Sequence, residues 1–209
     1  AIFIAFALGG ILKGATGAGA PIVTIPVMAA FYDVRIAVII MVIPNLLTNI
    51  GQLYQFRKTI LPRFFTISFA LGGGIGAFLG TILLVNLPIK ILTLSVACIV
   101  IIYILLKLIV PSWKLNYIKA KKLVFLMGAG GGILQGSAGL SAPISITFLN
   151  SMKLERNQFI PTISVYFGVM SIFQMPTLYY YDFLNLEIII MSCISTIVLM
   201  AFMPFGSWI

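Results

Sequence analysis

Residues 1–31 read AIFIAFALGGILKGATGAGAPIVTIPVMAAF, and residues 123–150 read LVFLMGAGGGILQGSAGLSAPISITFLN. Both stretches are apolar and long, and both are interrupted near the middle by glycine, proline and small polar residues. Laid over each other at an offset of 122 they match without a gap. Gly9-Gly10-Ile11-Leu12 returns as Gly131-Gly132-Ile133-Leu134, Gly14 as Gly136, Gly17 as Gly139, and Ala20-Pro21-Ile22 as Ala142-Pro143-Ile144. The same offset pairs Ile50 with Ile172 and Gln52 with Gln174. A match that falls on both broken stretches and runs on into the next segment marks an internal duplication.

The chain around these stretches is apolar as well. Of 209 residues, 61% are hydrophobic and only 8% are charged, too few charges to keep a soluble surface wet. Seven apolar segments can be marked, roughly 1–31, 36–55, 64–86, 89–110, 123–150, 158–179 and 187–206. A helix crossing the hydrocarbon takes roughly 20 apolar residues, so the expected fold is all-α and polytopic, in a membrane. The formal charge of +9 sits mostly in short loops. There it serves topology and anionic lipid headgroups, and nothing supports nucleic-acid binding. No histidine is present, which removes the commonest metal ligand and general base. Cys98 and Cys193 fall inside apolar runs and read as small packing residues, not as a disulfide. The chain opens at Ala1 without a methionine and stops at Trp208-Ile209, just past an apolar segment; trimming at both ends is expected.

Loop charges suggest how the halves are oriented. Arg57, Lys58 and Arg63 lie between the second and third segments, and Lys114, Lys119, Lys121 and Lys122 between the fourth and fifth. The positive-inside rule makes both clusters cytoplasmic. If the fifth segment enters and returns on one side, Lys153 and Arg156 also stay inside, while Asp182 and Glu187 face out. A single crossing would reverse both. Lengths agree with the first arrangement, because residues 1–12 and 22–31 are each about half a bilayer as helix at ~1.5 Å per residue. Each repeat is then a re-entrant hairpin plus three spanning helices, and the odd count inverts the second repeat. Inverted repeats with broken helices recur among secondary transporters. The expected organisation is a first repeat over 1–110, a cytoplasmic linker over 111–122, and a second repeat over 123–209. A kinked single crossing at each broken segment is the alternative.

The two tips are the candidate site: Lys13 to Pro21, including Thr16, Gly17 and Gly19, and Gln135 to Pro143, including Ser137, Gly139 and Ser141. Non-helical backbone at membrane depth survives only where protein or a water-filled cavity satisfies it, and glycine lets a ligand approach the backbone. Pro21 and Pro143 suit the first position of a second arm. Each arm would then aim a helix N-terminus at the tip, and the two together would form an anion site. For any single glycine, tight helix packing is the plainer reading. Lys13 lies about a dozen residues into an apolar run, where a cation costs several kcal/mol unless it faces a cavity or a partner. No carboxylate lies inside an expected span. Lys13 either meets an anionic substrate or snorkels to the interface. Its counterpart is Gln135. Asn45, Asn49 and Gln52 fall at i, i+4 and i+7 on one helix face, with Tyr166, Ser171 and Gln174 in the counterpart segment. Such groups bind oxyanions or glue helices together. Gln52 and Gln174, kept across the duplication, are expected to line the pathway. Gly72, Gly76 and Gly80 form a small-residue stripe that reads as packing.

With these residues in view, the chain resembles the TauE/SafE sulfite exporter family, also called the toluene sulfonate uptake permease family, over essentially its whole length. The resemblance rests on the twice-occurring G-x-x-x-G-x-x-G followed by small residues and proline, GILKGATGAGAP and GILQGSAGLSAP, with Pro44-Asn45 and Asn49 downstream. Where many members have three consecutive glycines, this chain has Gly17-Ala18-Gly19-Ala20, and Lys13 is not a general family feature. The resemblance implies about eight segments in two halves, so that one C-terminal helix is absent here. It also implies transport of sulfite, organosulfonates or other small organic anions, with no cofactor. The expected setting is a bacterial inner membrane. Expected partners are the anion, the bilayer, a coupling ion (proton or sodium) and a second copy of the chain in a homodimer. An anion channel, a membrane enzyme of sulfur metabolism and a purely structural subunit are the alternatives. The absence of histidine and of intramembrane carboxylates weighs against the enzyme.

Overall fold

In lipid the backbone must satisfy its own polar groups, which leaves helices as the simplest solution for separate apolar runs. The computed structural model describes residues 1–109 and 114–208 and has no strand among them. The first broken segment forms α1 (Ile2–Thr16) and α2 (Ala20–Ala29). Then come α3 (Val34–Ile40), α4 (Val42–Phe56), α5 (Arg63–Asn86) and α6 (Ile89–Ile109). The second half has α7 (Tyr117–Ala138), α8 (Ser145–Ser151), α9 (Arg156–Tyr180) and α10 (Leu186–Ser207). Five stretches are long and apolar enough to cross a bilayer: Val34–Thr59, Arg63–Asn86, Ile89–Leu106, Arg156–Tyr180 and Leu186–Ser207. The chain is a multi-pass helical membrane protein.

Two boundaries differ from expectation, each for a local reason. The second segment breaks at Met41, between α3 and α4. Pro44 lacks the N–H that would bond the carbonyl of Ile40, and its ring crowds that carbonyl; the Asn45 N–H resumes the pattern on the Met41 carbonyl at 2.9 Å. Helix α7 begins inside the expected linker, because the Asn116 side chain caps it by accepting the Ile118 N–H at 3.0 Å. The last residue of the fourth expected segment, residue 110, and the first three of the linker, 111–113, lie outside the described residues.

Both broken segments turn back. Gly9 of α1 faces Thr24 and Ala20, and Gly19 faces Leu12, so α1 and α2 run antiparallel side by side. In the second half Gly131 faces Ser145, and the Leu115 N–H donates to the Ser151 carbonyl at 2.8 Å. The chain therefore returns beside the point where it entered.

Small residues set the main contacts, as they must where lipid tails are as apolar as the helices themselves. Gly72, Gly76 and Gly80 of α5 meet Gly128, Gly132 and Gly136 of α7 so closely that a Cβ on Gly76 would overlap the Ala129 carbonyl oxygen. Residue numbers rise together along the contact, so the two helices are parallel. The stripe on α5 was legible in the sequence; its counterpart on α7 was hidden inside the longer glycine-rich motif. Helices α1 and α10 pack the same way, with Gly10 against Leu199, Gly14 against Met203 and Gly206 against Ile11. At the offset of 122, α7 corresponds to α1 and α5 to α10. One contact is thus made twice, each time between the first arm of one half and a long helix of the other. Between them α4 and α9 cross antiparallel, with Asn45 hydrogen-bonded to Ser171 near one end and Thr59 to the Asn157 carbonyl near the other.

An aromatic stack anchors α5 against α9, where the Phe69 and Tyr166 rings lie 4.0 Å apart at 14°. The Tyr166 hydroxyl donates to the Gly128 carbonyl at 2.9 Å, which places this residue in the scaffold. Only 11% of the α6 apolar stretch is buried, so that helix is peripheral. Cys98 and Cys193 are unpaired and exposed. They face outward from the bundle, which corrects the expectation that they fill interior packing.

Candidate functional site

The tips begin alike. Helix α1 ends at Gly17 with φ 78°, its N–H on the Lys13 carbonyl at 2.7 Å. Helix α7 ends at Gly139 with φ 71°, its N–H on the Gln135 carbonyl at 2.8 Å. This left-handed cap favours glycine because it has no Cβ. A Cβ would also press on Ile160 at the first tip and on Ile25 and Val38 at the second.

Beyond the caps the tips part. Gly19, at φ 100°, is the N-cap of α2, with Pro21 in its first turn. The corresponding residue in the second half is Ser141, which has no positive φ. The chain there passes through a turn, and α8 starts only at Ser145, whose N–H and hydroxyl each reach the Ser141 carbonyl at 2.9 Å. The expectation that Pro143 opens a helical arm is therefore corrected. Only the first tip presents a regular helix start.

The two tips lie side by side along a narrow cleft bounded by Gly19, Pro21, Gln135, Gly139 and Ser141, with Phe167 of α9 on its wall. Its volume is about 10 Å³, at the limit for a single water, so the cleft is too narrow for an anion. A chamber of about 380 Å³ adjoins it, sharing Gly19, Ile22 and Ile146.

Lys13 is 1% exposed. It does not snorkel; its Nζ lies 5.7 Å from the centre of the Phe167 ring. Asp33 and Glu155 are helix N-caps, Asp182 lies in a turn, and Glu187 is in the first turn of α10. None of the four is ion-paired with Lys13.

Buried amides surround this layer. The Gln52 Nε2 donates to the Lys13 carbonyl at 3.2 Å. The Asn49 Nδ2 donates to the Asn45 carbonyl at 2.6 Å and to its Oδ1 at 3.0 Å. Several oxygens on these side chains have no hydrogen-bond partner: Asn49 Oδ1, Gln52 Oε1 and Gln135 Oε1. Both amide atoms of Gln174, which is 1% exposed, are in the same condition. Leaving a buried polar group unsatisfied costs roughly 1–3 kcal/mol, so these atoms call for a polar partner. Of the expected site residues, Gly19, Gln135, Gly139 and Ser141 line the cleft, whereas Lys13, Thr16, Gly17, Asn45, Asn49, Gln52, Ser137 and Gln174 do not. The Thr16 hydroxyl donates to the Leu12 carbonyl at 2.8 Å and faces the adjoining chamber. Ser137 donates to the Ile133 carbonyl at 2.7 Å on its own helix.

Two arginines were not among the expected site residues; Arg156 was read only as a loop charge and Arg35 was not singled out. Arg35 Nε and Nη2 donate to the Leu84 and Leu87 carbonyls at 2.9 and 2.6 Å, and its guanidinium lies 5.6 Å from the Phe183 ring centre. Arg156 Nη2 donates to the Gly14 carbonyl at 3.0 Å and lines the chamber. The signal was present: Asp33 and Glu155 are 122 residues apart, and an arginine follows each within two positions.

The family model for the sulfite exporter TauE/SafE matches residues 2–209. No curated protein and no solved structure gives a match. The match covers both broken segments and every helix around them, as the resemblance implied. This chain belongs to the sulfite exporter TauE/SafE family of membrane transporters.

Proposed function

We propose that the chain is a secondary transporter that moves a small anion, sulfite or an organosulfonate, across the bacterial inner membrane, binding it between the two glycine-rich tips. Its halves, 1–110 and 123–209, are inverted repeats joined by the linker 111–122. The antiparallel crossing of α4 with α9, which correspond at the offset of 122, supports that inversion.

One observation carries the reading. A lysine buried to 1% lies against the ring of Phe167, which walls the tip cleft, and has no carboxylate partner among the described residues. A cation at that depth costs about 2.5–3.5 kcal/mol on insertion scales, and an anion bound in the cleft would offset the cost. Gln135 brings an amide to the cleft, and its N–H groups suit an oxyanion. The narrowness of the cleft, about 10 Å³, favours an alternating carrier over a channel, which needs a continuous polar path. Among the described spans the one carboxylate, Glu187, sits in the first turn of α10, so the transport cycle rests on Lys13 as a proton site, on sodium held by backbone carbonyl oxygens, or on uniport.

Thermal stabilisation of the purified protein by sulfite, sulfonates and small carboxylates tests this directly. A shift with one anion class, lost in Lys13→Gln, is the expected result. A shift that survives Lys13→Gln removes the lysine from the site, and no shift with any anion sinks the substrate assignment.

A further inference from the structure

We propose that the chamber beside the tip cleft is a second anion station, built on Arg156 and placed in series with the Lys13 layer. The inference takes its ligand class, a small oxyanion, from the carrier reading. Its own ground is the chamber's size and lining. At about 380 Å³ it admits a small anion that the cleft of about 10 Å³ excludes. It opens to the surface: Arg156, Thr16 and Asn150 on its walls are exposed and Tyr103 is half-buried, and no carboxylate lines it among the described residues. The two spaces share Gly19, Ile22 and Ile146, so an anion held in the chamber is separated from the cleft by the first tip and the start of α8.

Arg156 is oriented for this task. A guanidinium carries five N–H donors in a fixed fork, and here one arm is engaged by the Gly14 carbonyl at 3.0 Å. That bond holds the side chain against the chamber wall and leaves the rest of the fork to meet an oxyanion in the paired geometry arginine favours. Arg35 contrasts with it, being engaged by two carbonyls at the end of α5 and by the Phe183 ring.

Protection of a reporter thiol tests the station without relying on transport. The full chain carrying Cys98→Ser, Cys193→Ser and Asn150→Cys is purified in detergent and labelled with an anionic or a cationic methanethiosulfonate reagent, with and without methanesulfonate. Methanesulfonate should slow labelling at position 150. The anionic reagent should react preferentially, and Arg156→Gln should abolish the protection and lower that preference about tenfold, as expected for loss of a nearby charge in a cleft. Arg156→Lys should keep part of both effects, and Lys13→Gln should leave both intact. Equal protection in Arg156→Gln overturns the proposal, and so does no protection in the parent. Protection that disappears in Lys13→Gln assigns the anion to the inner layer instead. Protection that follows Arg156 while no anion is transported would refute the carrier reading and leave the station standing.

Discussion

Tyr166 shows how one side chain can be read two ways from sequence and one way from structure. As a polar residue on the helix corresponding to α4, it belonged with the pathway candidates. In the fold its hydroxyl donates to the Gly128 carbonyl, its ring stacks on Phe69, and Gly73 and Gly131 are glycine because that ring needs the space. Tyr166→Phe should therefore cost about 1 kcal/mol, the scale of hydrogen bonds between membrane helices. Tyr166→Ala should cost about 3–5 kcal/mol by cavity formation. Denaturant unfolding in detergent measures both. If the two variants cost the same, the hydroxyl has a role the scaffold does not explain. Lys13 is the opposite case: its depth was visible in the sequence, but its surroundings were not. A count along an apolar run gives position in the bilayer. Whether the ammonium reaches the interface depends on what packs around it, and here Phe167, from the other half of the chain, lies over it.

At the scale of elements, glycine placement separates contact from open space. A Cβ on Gly132 would overlap the Gly73 carbonyl, whereas one on Gly51 meets nothing within 4 Å. Gly132→Leu should force α5 from α7 and destabilise the protein by about 3 kcal/mol or more. Gly51→Ala should be neutral or should stabilise by up to about 1 kcal/mol through reduced backbone freedom. Thermal melting of the pair checks this, and a well-folded Gly132→Leu would mean the helices are not in contact. The broken segments and the apolar spans were legible because each depends on local chemistry, whereas the αL caps at Gly17 and Gly139 were not singled out. The late start of α8 was not legible. It depends on a single difference between the tips, Gly19 against Ser141, and on hydrogen bonds that Ser145 makes back to Ser141.

For the whole molecule the matter to test is orientation. In a background lacking Cys98 and Cys193, thiols placed by Lys58→Cys and Lys153→Cys should label from the cytoplasmic side, and Asp182→Cys from the other. Labelling of positions 58 and 153 from opposite sides would restore the kinked single crossing and end the inverted-repeat proposal. The duplication made the two halves legible as units, but not how they combine, since no periodicity in a sequence says which copy a glycine face will meet. In the fold the first arms are exchanged, α1 resting on α10 and α7 on α5. That exchange has a consequence for biosynthesis. Roughly 170 residues separate the end of α1 from the start of α10, about 10–30 s at ordinary synthesis rates of 5–20 residues per second. Throughout that interval the glycine face of α1 is without the helix it packs on. The protein therefore depends on something that shelters a nascent hairpin, lipid or insertion machinery, until α10 arrives.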